Sequence, residues 1–110
     1  MSKSVIEVLT EARAKVAAGW CQGPPAVDAR GEPAYSAGDE ACAWCAWGAI
    51  IAVAFYRDVG YEASAALDDE AELRGFNNST TFNEAPGRTQ AEVVDLFTKA
   101  IEKAKEQASV

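Results

Sequence analysis

The stretch Ala41-Cys-Ala-Trp-Cys-Ala-Trp-Gly-Ala-Ile-Ile-Ala-Val-Ala-Phe-Tyr56 carries no charge over sixteen residues. Asp39 and Glu40 stand before it, and Arg57 and Asp58 follow. A bilayer-spanning helix needs about 20 apolar residues, so the run is short for a membrane and fits a protein interior. Its apolar residues surround a helix on all sides, which requires neighbours on every face. The reading is a buried central helix from about Asp39 to Val59, capped by Ser36 or Asp39 and stopped by Gly60. Gly48, mid-helix and costing ~1 kcal/mol relative to Ala, marks a close crossing by another helix.

Outward from this run, two segments carry helix signals with defined starts. Ser4 and Glu7 form a Ser-x-x-Glu capping box, and Val5, Leu9, Ala12 and Val16 then make one apolar stripe. This predicts a helix over Val5 to Ala18, with Gly19 as a left-handed stop. Thr89 and Glu92 repeat the box, and Val93, Leu96, Phe97, Ala100, Ile101 and Ala104 predict a last helix over Gln90 to Gln107. A weaker stripe predicts a third helix over Glu62 to Arg74, with a break near Leu67. Between them, Trp20 to Gly38 and Gly75 to Arg88 are rich in Gly, Pro and Asn and read as two long ordered loops. Trp20 and Tyr35 are expected to anchor the first loop on the core. No segment shows a convincing period of two.

The fold class is therefore all-α: a compact bundle of about four helices around the buried helix 39–59. The first and last helices are expected on its opposite sides. Chain length of 110 residues supports a single domain over 1–110. The richness of the central helix makes a homodimer a reasonable source of extra cover.

Composition excludes much chemistry. There are 17 Asp+Glu against 10 Lys+Arg, a net charge of −7, which opposes phosphate backbones and argues against nucleic acid as a partner. The absence of histidine removes Ser-His-Asp sets, Cys-His pairs and the common zinc and iron sites. Phosphate-cradling and dinucleotide Gly motifs are also missing. No N-terminal targeting segment is read, and an odd count of three cysteines points to the reducing cytoplasm.

Three clusters remain as candidate sites. Cys42 and Cys45 form a Cys-x-x-Cys, with Cys21 apart; three thiolates would need a carboxylate such as Asp39 to complete a metal site. Burial is the better reading, because free Cys behaves as a small apolar residue. Trp20, Trp44 and Trp47 would line an aromatic pocket or, more simply, pack as core. Asn83, Glu84 and Arg88 stand before the last helix, where Arg and a helix start both favour anions; turn formation and a Glu84–Arg88 pair are the plainer reading. The six acids between Asp58 and Glu72 read as a solvated face.

Gly19-Trp-Cys-Gln-Gly23, Cys45-Ala-Trp-Gly-Ala49 and Phe82-Asn-Glu-Ala-Pro-Gly-Arg-Thr89 together resemble a small domain family of bacterial and phage proteins of unknown function. Its pattern has a Gly-Trp segment, a Cys-x-x-Gly-Ala helix and a Trp/Phe-Asn-Asp turn, and Glu84 stands here where Asp is usual. The resemblance covers about residues 5 to 104 and implies no activity or cofactor; it singles out Trp20, Cys45, Asn83 and Glu84.

The expected function is a non-catalytic binding or accessory module of bacterial or phage origin, acting on an unidentified protein partner or small ligand. Its candidate ligand-binding residues are Trp20, Cys21, Trp44, Cys45, Asn83, Glu84 and Arg88; no catalytic residue, metal ligand or cofactor is assigned. Two alternatives are carried: a small-ligand or metal site at Cys21, Cys42 and Cys45, and a His-free enzyme using a Cys thiolate or Glu84 with Arg88.

Overall fold

The computed structural model describes residues 3–108. Helix α1 spans Val5–Ala18, and its start is the expected box: Ser4 Oγ accepts from the Glu7 N–H while the Glu7 carboxylate accepts from the Ser4 N–H. Val8, Leu9, Ala12 and Val16 are fully buried. Two short strands follow, β1 (Ala26–Val27) and β2 (Ala43–Trp44), paired antiparallel as Ala26 with Trp44 and Val27 with Ala43. Then come α2 (Ala46–Ala54), α3 (Asp58–Leu73), α4 (Ser79–Asn83) and α5 (Gln90–Ala108).

The molecule is mostly helical, as the sequence predicts, but the apolar run is divided differently. Helix α2 begins only at Ala46, with Cys45 as its cap, so residues 39–45 are not helical. The reason is non-local. Trp44 N–H donates to the Gly19 carbonyl and the Cys21 N–H to the Trp44 carbonyl, a parallel bridge that draws this segment out straight. The helix ends at Ala54, and α3 starts four residues before the predicted position and runs through Leu67 without a break. Gly60 is not a stop: it lies buried in α3, where an added Cβ would stand 3.1 Å from the Ala54 methyl.

Packing also departs from expectation. Helix α5 packs chiefly on α1 and α3, while α1 touches α2, α3, α5 and β2 and holds the middle of the bundle. Helices α1 and α5 run antiparallel, since Arg13 donates to Thr98 and the Gln90 amide donates to the carbonyls of Val16 and Ala17 at the end of α1. Ala46, Gly48, Ala49, Ile50, Ile51 and Ala54 of α2 are buried within the one chain.

Two glycines are fixed by close approach. A Cβ on Gly48 would lie 1.8 Å from the Pro25 carbonyl oxygen, so a loop and not a helix crosses there. A Cβ on Gly19 would lie 2.1 Å from the Cys42 carbonyl oxygen; Gly19 itself is extended, not left-handed.

Candidate functional site

The two long loops meet at Asn83, the last residue of α4, which is 1% exposed. Its Oδ1 accepts from the Trp20 indole N–H at 2.8 Å and from the Ala46 backbone N–H at 3.1 Å. Its Nδ2 donates to the Cys21 carbonyl at 3.2 Å and to Glu84 Oε2 at 2.7 Å. Both lone pairs and both hydrogens of the amide are thus used. Around it, Glu84 Oε1 accepts from the Gly23 N–H at 2.7 Å, and the Gln22 amide donates to the carbonyls of Asn83 and Ala85.

This cluster also caps α2. The first N–H groups of a helix lack internal partners; here Ala46 finds Asn83, and Gly48 finds the Cys45 sulfur at 3.3 Å. The sequence therefore brings Trp20, Cys21, Asn83 and Glu84 together, with Cys45 at the edge, but every polar group of the Asn83 amide faces another protein group.

The remaining expected residues lie elsewhere. Arg88 does not pair with Glu84. Its Nε donates to the Phe82 carbonyl at 2.7 Å, its guanidinium lies 3.6 Å from the Phe82 ring centroid, and Glu92 is its ion-pair partner at 3.3 Å. Glu92 also occupies the start of α5, accepting from the Thr89 N–H, where an anion would otherwise sit. The Trp44 indole donates to the Ser36 carbonyl at 2.8 Å, with the Lys15 ammonium 4.7 Å from the ring centroid. Trp47 is half-buried and packs against Tyr61.

The cysteines do not share a helix face. Cys42 is exposed, Cys21 half-buried and Cys45 buried. Among the described residues no group of three or more Cys, Asp and Glu is placed to hold a metal ion. Burial pushes the Cys21 thiol up to about 11, helped by the neighbouring Cys45, Glu84 and Cys42, and burial likewise raises Cys45. Both are poor sources of thiolate at neutral pH. The acidic stretch is partly spent on the fold: Asp68 accepts from the Ser79 N–H and hydroxyl, and buried Glu70 pairs with Lys103 at 2.6 Å.

A different surface is left open, and sequence reasoning missed it. Tyr35 does not anchor its loop on the core; it is 88% exposed. With Phe55 and Tyr56, 51% and 69% exposed, it lines an apolar groove of about 330 Å³ together with Pro25, Ala34 and Ile51. Phe55 closes α2 at φ 55°, ψ −143°, a region nearly reserved for glycine and costing of order 1–3 kcal/mol. One wall is fixed from behind, because the Ser36 carbonyl takes the Trp44 indole and the Ala34 N–H donates to the Ala26 carbonyl. The available signal was the Phe55-Tyr56 pair at the end of the uncharged run, with no glycine or proline to make the turn.

Among the described residues no helix is long and apolar enough to cross a membrane. Neither the curated proteins nor the solved structures contain a match to this chain. A family model does match, over residues 1–103. Its span takes in the Asn83 cluster and the groove alike, and the chain belongs to that family, the family of unknown function DUF6197.

Proposed function

We propose that the protein is a non-catalytic binding module, and that its contact face is the groove at the corner between α2 and α3. The observation that carries this is the set of three exposed aromatic side chains, Tyr35, Phe55 and Tyr56, around a preformed apolar recess. Buried aromatic anchors dominate protein–protein binding energy, and a wall already held in place loses little freedom on binding. The backbone strain at Phe55 fits the same reading, since strain persists where a function holds it. The groove suits a protein segment better than a small molecule: orientation of small ligands needs convergent polar groups, and the lining is apolar apart from Ser36 and the two tyrosine hydroxyls. Against a thiolate enzyme stand the raised Cys21 and Cys45 thiols. Three free thiols suit a cytoplasmic setting, and a bacterial or phage origin follows from the resemblance.

The test is photocrosslinking in the producing cell, with a benzophenone amino acid at position 35 or 56 and, as control, at exposed position 102. Adducts from 35 and 56 that vanish on Phe55→Asp support the reading. An adduct at twice the chain mass would assign the face to a second copy. Adducts only from position 102 would overturn it.

A further inference from the structure

Resting on the groove reading, we infer that the occupant is a basic segment of a partner protein, inserting an apolar or aromatic side chain between Tyr35 and Phe55 with Lys or Arg on either side. The loop that forms the groove wall carries Asp28, Glu32, Asp39 and Glu40 against Arg30 alone. Asp28 is engaged within the loop's own turn, its carboxylate accepting from the N–H groups of Arg30 and Glu32. Glu32 and Asp39 are exposed and make no ion pair among the described residues, whereas Glu40 stands with Arg30 and Asp28 around a separate recess. Glu32 precedes the groove residue Ala34 by two positions, and Asp39 follows Ala37 by two. Beyond Phe55, Arg57 and Asp58 line a separate recess with Lys3 and Glu62, two charges of each sign, so that side contributes no net charge.

Unpaired charge of one sign beside an apolar recess selects a partner of the other sign, by speeding encounter and repelling wrong partners. A second copy is disfavoured by the same charges, since it would set −7 against −7 and one acidic wall near another. The groove is small, at the lower end of ligand-pocket volumes, so it takes the anchor side chain and leaves the flanking residues on the surface where the acids stand.

The experiment is selection of random twelve-residue peptides displayed on phage against the full chain, in parallel with Phe55→Asp and with Tyr35→Ala. Tyr35 is almost wholly exposed, so its variant keeps the fold even if Phe55→Asp does not. The expected result is a set of peptides with an aromatic or leucine anchor flanked by Lys or Arg, depleted on both variants. The double change Glu32→Lys, Asp39→Lys should weaken these peptides about tenfold at low salt, with the difference shrinking as salt rises. Variant-sensitive peptides without excess Lys or Arg would overturn the charge inference and leave the groove standing. Absence of variant-sensitive peptides would overturn both.

Discussion

The Asn83 cluster and the α2–α3 corner are opposite kinds of region. Around Asn83 the residues are polar, buried and mutually satisfied, and the amide at the centre has no bonding capacity left for a ligand. At the corner the residues are apolar, exposed and held in a strained turn. A fully paired buried network rigidifies a fold, whereas exposed aromatic surface and strain persist where something is yet to be bound. The lesson is that polar residues gathered from distant segments mark a joint at least as readily as a site, and the test of which is whether any donor or acceptor is left over.

The largest expected effect breaks the joint. Asn83→Ala leaves the half-buried Trp20 indole and the buried Ala46 N–H without their acceptor; at about 1–3 kcal/mol for each orphaned donor, the loss should be roughly 2–6 kcal/mol. Urea denaturation followed by tryptophan fluorescence measures it, and a loss under about 1 kcal/mol would mean that the cluster is dispensable, as a ligand site would be.

A smaller change, of opposite sign, sharpens the corner. Phe55→Gly removes the left-handed penalty and gives up a half-exposed ring, so stability should rise by about 1 kcal/mol while crosslinking from position 35 is lost. Strain kept for binding predicts this trade; a variant that is less stable would show that the ring holds the turn together.

The smallest effect belongs to the helix starts, where neither region is involved. Hydrogen bonds from the Ser4 backbone and hydroxyl hold the Glu7 carboxyl below its ordinary 4.5, and the Thr89 backbone does the same for Glu92. Because the folded values are depressed, the contribution of these groups is complete above 4.5 and is lost as pH falls through the lower folded values. Thermal melts from pH 5 down to pH 3 should show a decline that Glu7→Gln and Glu92→Gln together reduce.

Helix α1 and the start of α5 were legible because their signals are local: a capping box and a stripe lie within one segment. The start of α2 was not, because Ala41 to Trp44 contains no breaker and only pairing with Gly19, Cys21 and Val27, many residues away, keeps it extended. Short α4, hidden in a polar loop, is set by an Asn78–Thr81 box that reads equally as a turn. The grouping of Trp20, Cys21, Asn83 and Glu84 was legible as a group, but its structural purpose depends on an accounting of donors that needs coordinates. Tyr35 was misplaced because an aromatic among glycines and prolines ordinarily packs, and nothing in its neighbours says that it faces outward.

The bonds from Asn83 and Glu84 to the 20–23 segment span 61 to 63 residues. Contacts of such separation are rewarded only after the chain between them has been ordered, since closing a long loop costs entropy first. The α1–α5 contacts span 73 to 85 residues, so the joint closes a shorter loop than the helix pair does. The two kinetic limbs of Asn83→Ala tell when it forms: slower folding places the joint inside the folding barrier, and faster unfolding alone places it after, where it governs how long a folded molecule lasts.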